Sequence, residues 1–278
     1  MTVASLLDAG VPTLHARVES WECDFNGHWN TRFYCRAVQW AAEVASVAGS
    51  ERPFDASARP APQRCLRFHR ELRTGDALEV RSFRAAEIGG ANVAHVILHD
   101  GRICATALDF GGPTNDVLPL LPDALAPLVG PRGLPDAAVA PWTALPGRDG
   151  VVELGRVAPD EWEASGHLTF EASARRLGPA AQHLAARLGF STDFSLRSGV
   201  GRMLVEMRFE QLGTCASNEL LRATSRLASV AAKSYVTQHL ITTRGGAPLA
   251  RFDLCLLAVD LATRKATALP AHIAAHAA

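Results

Sequence analysis

The chain has 278 residues, 48% of them hydrophobic and 20% charged, which is enough to bury one large core or two of domain size. Its 28 basic and 28 acidic side chains cancel, so it lacks the positive excess on which nucleic-acid binding draws. No run of 18 uninterrupted apolar residues is present, and Met1 to Val11 carries Asp8 without a lysine or arginine, so neither a membrane span nor a secretory leader is expected. The six cysteines stand singly, with no Cys-x-x-Cys pair, which fits neither a zinc knuckle nor a disulfide framework; a reducing, cytoplasmic compartment is the simplest expectation.

The first distinctive stretch is VESWECDFNGHWN, from Val18 to Asn30. Thr31 to Ala48 follows without strand alternation and is apolar on nearly every face, which predicts a helix surrounded by protein, capped by Asn30 or Thr31 and ended by Gly49. Period-two runs come next. Leu66 and Phe68 share a strand face, as do Leu78 and Val80, and the runs from Val93 to His99 and from Arg102 to Phe110 are joined by Asp100-Gly101, a dipeptide suited to a two-residue hairpin turn. Between Gly111 and Gly150 proline and glycine cluster and no period survives, which predicts a linker packed down by its leucines.

Beyond the linker the theme returns. VAPDEWEASGHLT, from Val157 to Thr169, lies over the first motif at a constant offset of 139 residues, with Glu163 in the place of Asp24, Ser165 in that of Asn26 and Thr169 in that of Asn30. A more polar helix is predicted from Phe170 to Leu188, kinked or split at Gly178-Pro179. Met203, Val205, Met207 and Phe209 alternate with Leu204, Glu206, Arg208 and Glu210 as in a half-buried strand, and strand-like runs at Tyr235 to Thr242 and Leu249 to Val259 flank Arg244-Gly245-Gly246. Each half reads as one long helix laid against an antiparallel sheet, with boundaries at 1–112, 113–150 for the linker and 151–278.

The motif DFNGHWNTRFY, Asp24 to Tyr34, resembles the hotdog-fold acyl-CoA and acyl-ACP thioesterases, 4-hydroxybenzoyl-CoA thioesterase-like enzymes among them. The ending AVDLATRKATALP, Ala258 to Pro270, is similar to the close of such chains. The resemblance implies an α+β tandem (double) hotdog, two antiparallel sheets each wrapped around a long central helix and packed as an intramolecular pseudo-dimer. It also implies hydrolysis of an acyl thioester on CoA or ACP, no cofactor, and Asp24, Asn26 and His28 acting at the thioester, with Gly27 and Asn30 completing the motif.

The residues themselves are suited to that chemistry. Thioester hydrolysis needs a carboxylate to activate water or attack directly, and donors aimed at the carbonyl oxygen as it gains charge. Asp24 is the candidate general base or nucleophile, and the N–H groups near Gly27 and His28, at the positive end of the predicted helix, are the candidate donors. The same stretch can also be a capped turn and nothing more. Glu163 is a candidate carboxylate of the second copy, weakened by Ser165 and Thr169, and Glu43 on the first helix is a further possible base.

Arg64, Arg67, Arg70, Arg73, Arg81 and Arg84 gather positive charge in one pair of strands, where solvated edges are the simplest reading for most. His95 and His99 fall on one strand face, about 13 Å apart, too far for one zinc ion, and no metal is expected. Cys23 has no identifiable partner base, so a packed thiol is expected there, while His183 and His239 carry no interpretable spacing.

Two other functions compete. Hotdog hydratases and dehydratases resemble this chain less, because their motif is Asp-x-Asn-Pro-x-His with the histidine five residues after the aspartate, whereas His28 stands four after Asp24 and Gly27 replaces the proline arrangement. A non-catalytic acyl-thioester-binding protein is the other. The expected partner is a small-molecule acyl thioester, with no nucleic acid, no membrane and a possible homodimer of the tandem chain; the acyl group and its carrier are not legible.

Overall fold

The computed structural model describes residues 3–24, 26–51, 53–55, 61–85, 88–134 and 150–275. The chain divides into two compact units: Met1–Pro131 with Glu163–Ser165 and Thr169–Ala174, and Arg132–Trp162 with Gly166–Leu168 and Arg175–Ala278. Part of the expected linker, residues 135–149, lies outside the described residues.

The first unit runs α1 (Val3–Leu7), β1 (Val11–Arg17), α2 (Thr31–Ser46), β2 (Gln63–Phe68), β3 (Ala77–Arg84), β4 (Ala91–His99), β5 (Arg102–Phe110) and α3 (Ala126–Val129). Its strands pair antiparallel in the order β1-β3-β4-β5-β2. Asp100 and Gly101 both take positive φ, 48° and 68°, so the β4–β5 connection is the tight hairpin their side chains favour. One sheet face buries Phe83, Ala94, Val96, Leu98 and Leu108 against Leu6, Leu7, Leu125 and Val129. The other faces α2, where Val93 packs on Ala45 and Phe68 meets the ring of Tyr34 edge-on.

Helix α2 is less enclosed than its composition predicts. Phe33, Tyr34, Val38 and Ala41 are buried, yet Trp40 and Val44 remain 42% and 46% exposed, and the Arg36 guanidinium stacks over the Trp40 ring at 4.8 Å. Arg64 and Arg67 depart from the expected solvated edge. Both are buried, Arg64 ion-paired with Asp109 at 3.1 Å and Arg67 donating to the carbonyls of Pro127, Leu128 and Gly130. A guanidinium with five donors can satisfy carbonyls that a short helix leaves open.

The second unit contributes β6 (Gly150–Arg156), most of α4 (Phe170–Arg187), α5 (Thr192–Ser198), β7 (Val200–Gln211), β8 (Leu220–Val230), β9 (Ser234–Thr243), β10 (Pro248–Asp260), β11 (Lys265–Ala266) and α6 (Ala271–Ala274). These strands are antiparallel in the order β7-β10-β9-β8-β6, with β11 on β10. Helix α4 is continuous through Pro179, where a kink or break was expected. Leu177, Ala180 and Leu184 are buried around it, and burial worth about 1.5–3 kcal/mol per large apolar side chain offsets the roughly 3 kcal/mol that an interior proline costs.

Strand β7 is not half-exposed either. Glu206 and Arg208, expected on a solvent face, are buried, and the Glu206 carboxylate accepts N–H bonds from Arg132, Gly133 and Leu134 at 2.5, 2.6 and 2.8 Å. Three otherwise unpaired backbone donors are thereby satisfied by one charge.

The 139-residue repeat reappears as geometry. The isolated bridge Cys23–Trp29 has its counterpart in Trp162–Leu168. Glu22 binds Arg36, and Glu161 binds Arg175 as well as Arg176. Asn30 Oδ1 accepts the Arg32 N–H at 3.0 Å, and Thr169 Oγ1 accepts the Ala172 N–H at 3.0 Å, so each copy caps its helix.

Candidate active site

The turn that leads into α2 is built around one carboxylate. Asp24 Oδ1 accepts the N–H of Asn26 at 2.8 Å and of His28 at 3.0 Å, while the Asp24 N–H donates to the His28 carbonyl and the Gly27 N–H to the Asp24 carbonyl. Gly27 sits at φ 74°, a left-handed conformation that a residue without Cβ adopts at little cost. Below the turn, the Trp29 indole donates to the buried Glu22 carboxylate at 2.8 Å, and the Trp29 N–H donates to the Leu72 carbonyl. Asn26 and Asn30 are exposed, Asn30 acting as the cap.

This arrangement changes what the motif offers. The N–H groups of Gly27 and His28, expected to face a substrate carbonyl, are both engaged inside the turn. The Asp24 carboxylate keeps Oδ2, to which none of the described residues donates a hydrogen bond.

The His28 imidazole turns away from Asp24 toward the loop after β2. Its Nε2 lies 3.1 Å from Glu71 Oε2 and 3.3 Å from the Arg73 guanidinium, and a backbone bridge between His28 and Arg73 holds the two segments together. A histidine beside a carboxylate has the geometry of a proton carrier whose charged form is stabilised by its neighbour. Glu71 was not legible as a site residue. It lies 43 positions from His28 in a loop between strands, and only the antiparallel return of β2 brings it to the turn.

Glu163 belongs to the first unit together with Ser165, whose hydroxyl donates to Glu163 Oε2 at 3.2 Å. Burial raises its proton affinity above the ordinary glutamate range; the Ser165 hydrogen bond and the charge of Arg64 work against the rise, and the charge of Glu43 adds to it. Glu43 accepts from Gln39 at 3.0 Å, and Gln39 in turn accepts the Glu171 N–H. Glu163 and Glu43 therefore share one electrostatic neighbourhood, while Asp24, Asn26, Gly27, His28 and Asn30 make up the separate turn with Glu71.

Behind Arg64 a polar row crosses the helix-facing side of the sheet. Arg64 pairs with Asp109, His95 Nε2 lies 3.7 Å from Asp109 Oδ2, His95 Nδ1 shares a 2.8 Å hydrogen bond with Ser82, and Ser82 shares one of 2.7 Å with Thr13. Burial acts to raise the Asp109 pKa, but Arg64 and His95 outweigh it and hold the carboxyl below its ordinary range. The second unit repeats only half of this row. His239 shares a 2.7 Å hydrogen bond with Ser225, its partner in register, and one of 2.9 Å with Thr237, but where His95 looks onto Asp109 and Arg64 the same register in β10 and β7 presents Leu254 and Met207. Burial with no compensating charge pushes His239 down to about 3.

Among the described residues no group of three or more histidine, cysteine, aspartate or glutamate side chains is placed to hold a metal ion. Among the described residues no helix is long and apolar enough to cross a membrane.

Long helices entered through the Asp24 turn and its repeat accompany antiparallel sheets, and solved structures of thioesterases share this fold. No protein-family model and no curated protein matches the sequence. Among solved structures, a protein from Lactobacillus plantarum described as an oleoyl thioesterase is similar over 91% of this chain and 98% of its own, with a TM-score of 0.61 and 14% identity. The 12:0-ACP thioesterase from Umbellularia californica is similar over 90% of this chain and 94% of its own (TM-score 0.56, 14% identity). An acyl-ACP thioesterase from Bacteroides thetaiotaomicron is similar over 92% and 100% (TM-score 0.54, 9% identity).

Proposed function

We propose that the chain hydrolyses an acyl thioester, carried on CoA or ACP, to the free acid and thiol. The observation that carries this reading is the His28–Glu71 pair at 3.1 Å, set on a turn whose aspartate keeps one carboxylate oxygen available. The shared fold with solved thioesterases supports it. In the proposed reaction Asp24 acts as general base through Oδ2 on a water molecule, and the water oxygen attacks the thioester carbonyl. As the C–S bond breaks, Asp24 gives its proton up to solvent, and the departing sulfur takes one from His28, which is paired with Glu71 and is charged in turn from solvent. Asn26 and Asn30 shape the turn and cap α2 rather than touch the reacting atoms, and Gly27 allows the turn to close.

A second reading follows from the raised proton affinity of Glu163: a carboxylate moved by burial toward neutral pH is a candidate base in its own right. Thiol release from a panel of short, long, aromatic and hydroxylated acyl-CoAs decides between them. Asp24→Asn and Glu71→Gln are expected to lower kcat/KM by at least about a hundredfold with the fold intact, and Glu163→Gln to leave most of the rate. Loss confined to Glu163→Gln would transfer the base to the second motif. No thiol release from any thioester would defeat the hydrolase reading.

A further inference from the structure

We propose that Arg73 is a positioning residue for His28, holding the imidazole nitrogen Nε2 unprotonated until a proton arrives, while Glu71 holds it once protonated. The inference rests on the hydrolase reading of the same turn and adds a residue to it. The two neighbours of Nε2 are Glu71 Oε2 at 3.1 Å and the Arg73 guanidinium at 3.3 Å. A guanidinium only donates and an ionised carboxylate only accepts, so one ring nitrogen cannot hydrogen-bond to both in the same protonation state. With a lone pair on Nε2 the bond goes to Arg73, and with a proton there it goes to Glu71.

The loop is constructed to keep this arginine in place. The His28–Arg73 bridge joins their backbones, the Arg73 N–H donates to Asp76 Oδ2 at 2.8 Å, and the Asp76 N–H returns to the Arg73 carbonyl. Among the described residues, Asp24 binds the His28 backbone and Asp76 stands behind Arg73. Arg73 is exposed, so its contact with the ring does not fill a core position.

The test is the titration of the His28 ring by NMR, its signal assigned by loss in His28→Gln, alongside the pH profile of kcat/KM on the best acyl-CoA of the panel. Arg73→Gln is expected to move the His28 midpoint, and the acid limb of the profile, to higher pH by a few tenths of a unit or more, as loss of a screened positive charge requires. Glu71→Gln moves both the opposite way, and Arg73→Lys, which keeps the charge, stays close to the unmodified protein. An unchanged or lowered midpoint in Arg73→Gln overturns the proposal. Absence of turnover on every thioester defeats the hydrolase reading, while the NMR midpoints still decide the role of Arg73.

Discussion

Under α2 the sheet of the first unit carries Arg64, Asp109, His95, Ser82 and Thr13 in a hydrogen-bonded and ion-paired row; in the second unit the serine and histidine recur as Ser225 and His239, but Leu254 and Met207 occupy the register of the charged pair. The same strand positions thus tolerate either a salt bridge or two apolar side chains. A buried ion pair and a hydrophobic pair of similar volume are close in free energy, and only a mismatch between partners is costly. The histidines have different neighbours. His95 looks onto a carboxylate, while His239 has only hydroxyl neighbours and is kept uncharged by burial.

Exchanging the pairs gives the largest expected effect. Asp109→Leu alone strands the Arg64 charge, 4% exposed, and should cost about 3–5 kcal/mol in urea unfolding. Arg64→Met with Asp109→Leu, which copies the second unit, should recover most of that loss. A double variant as unstable as the single one would show that the row has a role that apolar packing cannot replace.

Acidification sharpens the contrast next. His239 is depressed from the ordinary imidazole range to about 3, so the fold gains from it fully above about pH 6.5 and loses that contribution as pH falls toward 3. Between pH 7 and 4.5 the loss amounts to roughly 2–3 kcal/mol. Asp109, held below the carboxylate range, gives up its contribution only at lower pH still. Hydrogen exchange at pH 4.5 should therefore find β8 and β9 opening before β4 and β5, and His239→Gln should flatten the acid dependence. Equal opening in both units would remove the histidine environment as the cause.

The smallest effect is at the helix caps, where the two copies use different residues for one task. Asn30→Ala and Thr169→Ala should each lower stability by about 1 kcal/mol in the same unfolding experiment.

Local signals carried the sequence reading furthest. Asp100-Gly101 announces the hairpin because the turn demands positive φ from those two residues, and the Asp24 turn is legible because its hydrogen bonds span four residues. Strand β8 escaped because LLRATSRLASV mixes small, polar and charged residues, and its inward Ser225 is paid for by a histidine on another strand. Glu71 escaped for the same reason at the candidate site, since its partner is remote in sequence and its own neighbours show no period. Buried Arg64 and Arg67 could not be distinguished from exposed arginines without knowing that Asp109 and the carbonyls of Pro127, Leu128 and Gly130 would be opposite them.

Trp29 follows His28 directly in the chain, lies buried with its ring 4.4 Å from that of Tyr34, and donates to Glu22, whereas Trp21 and Trp40 are largely open to water. The turn thus contains its own optical label. Emission from Trp29 belongs to the blue, shielded part of the spectrum, and quenchers dissolved in water reach Trp21 and Trp40 first. With Trp142 and Trp162 replaced by phenylalanine, occupation of the turn can be followed by the residual unquenched fluorescence, without a chromogenic substrate or an attached dye.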